Sequence, residues 1–453
     1  MATTPHRGCL VLLALALALA QPAGAQRPDI SGTWELANTL SQLTFERAGD
    51  RTAAPAPCDP DEALTRVLGL LAPFPQRFTV TQTDDEVVIT RAGTASTFHV
   101  DGRAEKNSIG GIQFSQRARW DTGGVLVIEW KPAFGGTMLE TYTAPGSQPF
   151  LQVSQTIEHP VLSQPARQRL TFRRVAEPQG QRGRAGGQPP AAAGQVADTD
   201  FRPAIERPAF QPQTGPLVLI DEAHANFHIA TGRYLPFAEL LRRDGYVVKG
   251  SADRLTPEVL RAAGVIVVAN AREPFAADEV TAVRDWVARG GSLLLITDHP
   301  PFVEAATDLA AAFAIRLRSA AAQDPGLSGG RLTFRRSDGT LKDHPITHGI
   351  DEVVTFTGSS FEIEPPGQPL LVFGRTVCAY THAFDLHPLP LEGHLQGAAV
   401  RFDLGRVAAF GEAAMFSAQV SGPNRSPMGM NAPVAKQNAQ FLLNVMHWLT
   451  GLN

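Results

Sequence analysis

Residues 178–196 contain Gly, Pro, Gln, Ala and Arg and almost no large apolar side chain. Such a stretch cannot bury enough surface to offset the entropy of ordering it, so it reads as a flexible linker. A chain of 453 residues interrupted in this way does not fold around a single core. The hydrophobic period also changes across the interruption. The organisation predicted is a leader over 1–25, an all-β domain over 26–176, a linker over 177–200 and an α/β domain over 201–453.

Before the linker, short segments rich in Val, Thr, Phe and Ile alternate with turn chemistry such as Asp121-Thr122-Gly123-Gly124 and Pro145-Gly146. Their regular spacing predicts a closed barrel or a sandwich. One helical insertion is expected near 60–71, where Leu64, Val67, Leu68 and Leu71 share a face. The opening Asp29-Ile30-Ser31-Gly32-Thr33-Trp34 resembles the Gly-x-Trp start of lipocalin-like barrels. That resemblance implies a tryptophan closing the barrel base.

The first residues read as an export signal. Arg7 precedes an apolar core over 9–20, and Ala23-Gly24-Ala25 forms a cleavage site before Gln26. A soluble periplasmic or secreted protein is expected, with no transmembrane segment after cleavage. Cys58 and Cys378 then remain, one in each of the two expected domains. They are expected to be two unpaired structural thiols, although an interdomain disulfide is compatible with an oxidising compartment. The formal charge of −4 provides no basic footprint for nucleic acid. The partners expected are a small molecule, a glycan or an envelope protein.

After the linker, apolar runs alternate with helical patterns, which predicts a doubly wound, mostly parallel α/β sheet. Three of the runs end in acids: Leu217-Val218-Leu219-Ile220 into Asp221-Glu222-Ala223-His224, Leu293-Leu294-Leu295-Ile296 into Thr297-Asp298-His299, and Val407-Ala408-Ala409-Phe410 into Gly411-Glu412. In open parallel sheets the ligand crevice lies beyond the carboxyl ends of the strands, so these acids are expected to converge there.

The strings Asp221-Glu222-Ala223-His224-Ala225-Asn226-Phe227-His228, Gly290-Gly291-Ser292 through Thr297-Asp298-His299-Pro300-Pro301-Phe302, His344-Pro345-Ile346-Thr347 and Gly411-Glu412-Ala413-Ala414-Met415-Phe416-Ser417-Ala418-Gln419 resemble the class I glutamine amidotransferase-like superfamily. More narrowly they resemble an exported bacterial family of unknown function within it, related to accessory domains of gliding-motility ABC transporters. The resemblance spans residues 215–452 and implies the superfamily's α/β fold. The superfamily's glutamine chemistry needs a cysteine on a tight strand-to-helix turn. Here that turn reads Asp298-His299-Pro300-Pro301, with no nucleophile elbow, and Cys378 sits in a strand-like Thr376-Val377-Cys378-Ala379. Glutamine hydrolysis is not expected.

Oxygen and imidazole donors suit a divalent ion such as zinc or manganese, and Asp221, His224, His228 and Asp298 are the candidate ligands. His224 and His228 have the i, i+4 spacing of one helical face. His299 or Glu412 is the candidate general base, and Glu222, Asn226, Ser417 and Gln419 are candidate ligand contacts. In the alternative reading the acids cap helices and the histidines bond backbone groups. His344-Pro345-Ile346-Thr347 reads as a rigid turn, and His348, His382, His387 and His394 as loop residues. Gly290-Gly291 is a helix stop. Two functions follow: a metal-assisted hydrolase, or a non-catalytic module binding a small molecule, glycan or protein. A purely structural envelope role ranks third.

Overall fold

A computed structural model describes residues 27–41, 58–71, 74–91, 94–109, 112–133, 135–144, 149–175, 195–327, 331–382, 385–421 and 425–452. The expected leader and most of the expected linker lie outside the described residues. The chain divides into two compact units, 1–46 with 73–179 and 47–72 with 180–453.

The first unit carries strands β1 (Gly32–Ser41), β2 (Arg77–Gln82), β3 (Glu86–Arg91), β4 (Thr94–His99) and β5 (Glu105–Ile109). It continues through β6 (Ile112–Trp120), β7 (Leu126–Pro132), β8 (Thr137–Thr143), β9 (Phe150–Glu158) and β10 (Ala166–Val175). Together they form one ten-stranded antiparallel sheet in the order β4-β3-β2-β1-β10-β9-β8-β7-β6-β5. Residues along β7, β8 and β9 alternate between buried and partly exposed, as one-sided packing of an antiparallel sheet requires. The terminal strands β4 and β5 are not paired with each other, so the sheet is a curled half-barrel and not the closed barrel the strand spacing suggested. Trp34 is buried on β1 and donates its indole N–H to the Ile30 carbonyl at 2.9 Å.

In the second unit, helix α1 (Pro60–Leu71) comes first along the chain. Its sequence lies between β1 and β2, yet it clusters with the second unit, where Cys58 and Ala63 pack against Cys378 and Tyr380. Cys58 and Cys378 are joined in a disulfide across a sequence separation of 320, with Cα atoms 5.6 Å apart. This corrects the expectation of two unpaired thiols in different domains. The apolar face of an insertion helix is legible in sequence, but the body it docks on is not.

The other elements of this unit begin with β11 (Val196–Ala197), β12 (Leu217–Asp221), α2 (Leu235–Arg243), β13 (Val247–Ser251), α3 (Pro257–Ala262), β14 (Val265–Ala269), α4 (Ala277–Ala288) and β15 (Ser292–Ile296). Next come α5 (Thr307–Ala311), β16 (Ile315–Arg318), β17 (Ala321–Gln323), β18 (Leu332–Arg335), β19 (Glu352–Thr355) and β20 (Ser360–Ile363). The last are β21 (Gln368–Val372), β22 (Cys378–Tyr380), β23 (Leu389–Pro390), β24 (Leu395–Phe402), β25 (Gly405–Phe410), β26 (Ala418–Ser421), β27 (Ser426–Gly429) and α6 (Asn438–Leu449).

The main sheet has nine strands in the order β13-β12-β14-β15-β25-β24-β20-β16, with β21 also on β24. The pairs from β13 to β25 are parallel, whereas β24, β20, β16 and β21 pair antiparallel. The expectation of a doubly wound, mostly parallel α/β fold is therefore wrong. Of the described residues, 40% lie in strands against 17% in helices. The reason is local: β24 returns to β25 through the tight turn at Asp403-Leu404, with Asp403 at φ 50°, where a doubly wound fold needs a crossover helix.

Within the parallel part, every residue of β14 and β15 is buried. Alternate residues enter opposite cores: Val265, Val267, Leu294 and Ile296 pack with α2 and α6, while Ile266, Val268, Leu293 and Leu295 pack with α3, α4 and α5. This two-sided burial is why these strands read as unbroken apolar runs. It also leaves their carboxyl ends as the place where polar side chains emerge.

Candidate functional site

The segment after β12 does not continue as a helix. Ala225 adopts a left-handed φ of 50°, costly for a residue with a Cβ, and the chain turns until α2 begins. His224 and His228 therefore do not share a helical face, contrary to their spacing, and they enter different environments.

His224 is fully buried. Its Nδ1 lies 2.9 Å from Asp221 Oδ2, and its Nε2 lies 3.2 Å from Glu279 Oε1 on α4. Asn226 closes the loop by accepting from the His224 N–H at 3.1 Å and donating to Asp221 Oδ2 at 3.0 Å. Glu279 also accepts from the Leu255 and Ala276 N–H groups and pairs with Arg254 at 2.8 Å. Burial by itself favours a neutral His224 ring. The hydrogen bond to Asp221 and the charges of Asp221 and Glu279 outweigh it and raise the pKa. Burial is likewise outweighed at Glu279, whose carboxyl is lowered by the Ala276 and Leu255 amides and by His224. With Arg254 on Glu279, the Asp221–His224–Glu279 network is charge-balanced, and both imidazole nitrogens of its buried histidine are occupied.

Asp298 and Glu412, at the ends of β15 and β25, form a second network. Asp298 accepts from the His299 N–H at 2.8 Å and the Thr357 hydroxyl at 3.1 Å. Both Glu412 carboxylate oxygens accept backbone N–H groups, from Ala414 at 2.8 Å and Met415 at 2.7 Å. Gly358, at φ 118°, permits the approach of this loop, because a Cβ there would strike the Gly411 carbonyl. Burial raises the pKa of Asp298. Burial and then the Asp298 charge push Glu412 well above the carboxylate range, so the pair retains a proton where ordinary carboxylates have lost theirs.

The remaining candidates spread around these networks. His299 sits at the rim, with 41% of its side chain exposed, its Nδ1 2.8 Å from the Pro300 carbonyl and its Nε2 3.9 Å from Asp298. Glu222 reaches away over Gly250 of β13 and accepts from the Ala230 N–H at 2.9 Å. Ser417 donates to the Ala414 carbonyl at 2.9 Å and accepts from Gln419 at 2.6 Å, so these two stabilise the turn after Glu412. His344 caps the turn Pro345–Thr347, its Nδ1 accepting from the Ile346 N–H at 3.1 Å. A cavity of about 770 Å³ beside that turn, lined by Arg336, His344, His348, Asn444 and His447, is not at the strand ends. Among the described residues no group of three or more His, Cys, Asp or Glu is placed to hold a metal ion.

His228 is the exception to this pairing. It is 3% exposed, lies 4.6 Å from the Tyr234 ring and 5.4 Å from the Phe227 ring, and among the described residues neither ring nitrogen has a hydrogen-bond partner. Burial, followed by the Arg233 charge, lowers its pKa to about 3, so the ring is neutral. Tyr234 in turn donates to the Ala413 carbonyl at 3.0 Å, and burial and the charges of Glu412 and Asp298 raise its pKa. The Asn270 Oδ1 and Thr297 Oγ1 atoms at the ends of β14 and β15 are also buried without partners among the described residues.

Residues 234–375 match the family model of a domain of unknown function, DUF4350. That description assigns no activity. The matched region takes in Tyr234, Glu279, Asp298 and Thr357, but neither the segment after β12 nor Glu412. No curated protein matches the chain. Among solved structures it is similar to the mmIFT52 N-terminal domain at 15% identity, over 51% of this chain and 97% of that one, with TM-score 0.41. It is also similar to a cytoplasmic protein from Salmonella typhimurium (13% identity, 52% and 98% covered, TM-score 0.35). A ThuA-like protein from Parabacteroides merdae gives 12% identity, 52% and 90% covered, and TM-score 0.30. No function passes from these structures to this chain. Neither the amidotransferase-like superfamily nor a lipocalin-like first domain is confirmed by the matches.

The sequence reading did not single out Tyr234, Glu279, Arg254 or Thr357. Glu279, third in α4, carries only the ordinary signature of a helix start. Nothing local marks it as the partner of a histidine 55 residues away.

Proposed function

We propose that the second unit is a non-catalytic binding module that takes a small polar molecule at the carboxyl ends of β12, β14 and β15. The observation that carries this reading is His228, an imidazole buried with both nitrogens unpaired among the described residues, as are Asn270 Oδ1 and Thr297 Oγ1 at the ends of β14 and β15. A buried polar group without a partner costs about 1–3 kcal/mol, and a ligand bonded to it recovers that cost. Hydrolysis has weaker support. His224 and Glu412, assigned above to metal and base roles, have their polar atoms committed to internal partners. A zinc or manganese ion would have to displace the carboxylates from His224 to bind there.

Export belongs to the same proposal, and the Cys58–Cys378 disulfide supports an oxidising compartment. The binding test is thermal unfolding of the full chain against a panel of carboxylates, phosphates, sugars, nucleosides and amino acids. A true ligand at one hundred times its Kd adds about 2.7 kcal/mol of stability. His228→Phe abolishes that gain, and mass spectrometry recovers the ligand unchanged. A panel with no saturable stabiliser, a gain untouched by His228→Phe, or turnover of the ligand refutes the reading.

A further inference from the structure

The loop carrying His228 also gathers two arginines that pair with no carboxylate among the described residues. Arg233 stacks its guanidinium 3.7 Å from the centre of the Phe227 ring and donates through Nε to the Gln195 carbonyl at 3.1 Å. Arg272, beyond the end of β14, donates through Nε to the Ala225 carbonyl at 2.7 Å. Each is thus held at the Nε edge by a neutral carbonyl, and among the described residues its terminal fork has no hydrogen-bond partner. Among the described residues neither makes an ion pair with a carboxylate, whereas Arg242, Arg254, Arg316 and Arg336 in the same unit all do. The rings of Phe227 and His228 lie against each other, so the Arg233 fork and the unpartnered His228 ring flank the same aromatic.

Resting on the binding reading above, we infer that the ligand carries an oxyanion, a phosphate or carboxylate group, gripped by Arg233 and Arg272 while neutral His228 donates one hydrogen bond from its ring. Guanidinium forks match oxyanions in geometry, and charge-assisted bonds are stronger than neutral ones. Two cations held beside one loop repel each other, and the mutual effect is visible in Arg233, whose pKa is lowered by burial and then by the Arg272 charge. An anion between them removes that repulsion. Phe302, its ring 5.1 Å from that of Phe227, adds an apolar side chain beside the two cations for the rest of the molecule.

The experiment is calorimetric titration of the full chain with inorganic phosphate, with acetate and with uncharged glucose, at constant ionic strength set by sodium chloride. Saturable binding of phosphate or acetate is expected, and whichever anion binds more tightly identifies the group. Arg233→Gln and Arg272→Gln should each weaken it about tenfold or more. Arg272 is exposed, so its variant tests the anion contact without a folding defect. No saturable binding of either anion overturns the inference, and so does binding that both arginine variants leave unchanged. Binding of glucose, or of another uncharged panel member, that is lost in His228→Phe while both anions fail would retain the binding module and discard only its anion.

Discussion

The unpaired ring of His228 has a consequence for stability as well as for binding. Its pKa falls from 6.5 to about 3, burial acting first and the Arg233 charge second. The unfolded chain takes up this proton below 6.5, while the folded chain refuses it until near 3. Stability through this residue is therefore full above 6.5 and falls as the pH drops through the window below. Each pH unit inside that window is worth about 1.4 kcal/mol, so acidification from about pH 7 to about pH 5 costs the wild type about 2 kcal/mol. His228→Phe removes that dependence. At neutral pH it also removes an unsatisfied buried polar group from between two aromatic rings, and is expected to stabilise the unit by about 1 kcal/mol. Hydrogen exchange at the amides of β14 and β15, buried on both faces, reports global opening of the second unit at both pH values. The raised pKa values of His224, Asp298 and Glu412 act in the opposite sense, but they are present in both proteins, so the difference isolates His228. Identical pH dependence in the two proteins refutes the reasoning, as does a His228 imidazole that titrates near 6.5 by NMR.

Two further outcomes follow from the networks around the site. In Glu279→Gln the His224 pKa falls, and removing one partner of a buried pair costs about 3–5 kcal/mol. The raised His224 pKa means that the pair's stabilisation is complete below 6.5 and is lost as pH rises through the folded value. Urea titrations across that range should show this loss in the wild type and a smaller one in the variant, where Asp221 still raises the ring. For the disulfide, thiol labelling of unfolded protein purified from an exporting host should detect neither Cys58 nor Cys378 until a dithiol is added. Cys378→Ala should cost about 2–5 kcal/mol in unfolding of the second unit and open α1 to proteolysis. Labelling before reduction contradicts the pairing.

Much of the local structure was legible in the sequence, because it depends on neighbours in the chain. The alternating segments of the first unit, the apolar runs of β12, β14, β15 and β25, and the His344 turn all express periodicity or turn chemistry within a few residues. So does the placement of Asp221, Asp298 and Glu412 at strand ends. Tertiary structure decided everything that depends on what packs across from a residue. A strand's direction is not written in its own side chains, so the antiparallel half of the main sheet read as parallel, and the open edges of the half-barrel read as closed. The four-residue spacing of His224 and His228 suggested a shared face until the left-handed turn at Ala225 separated them. One ring found two carboxylates, the second from a helix 55 residues on, and the other found only aromatic walls. Sequence supplies the donors and acceptors, but whether a buried one is satisfied depends on distances that only the folded chain sets.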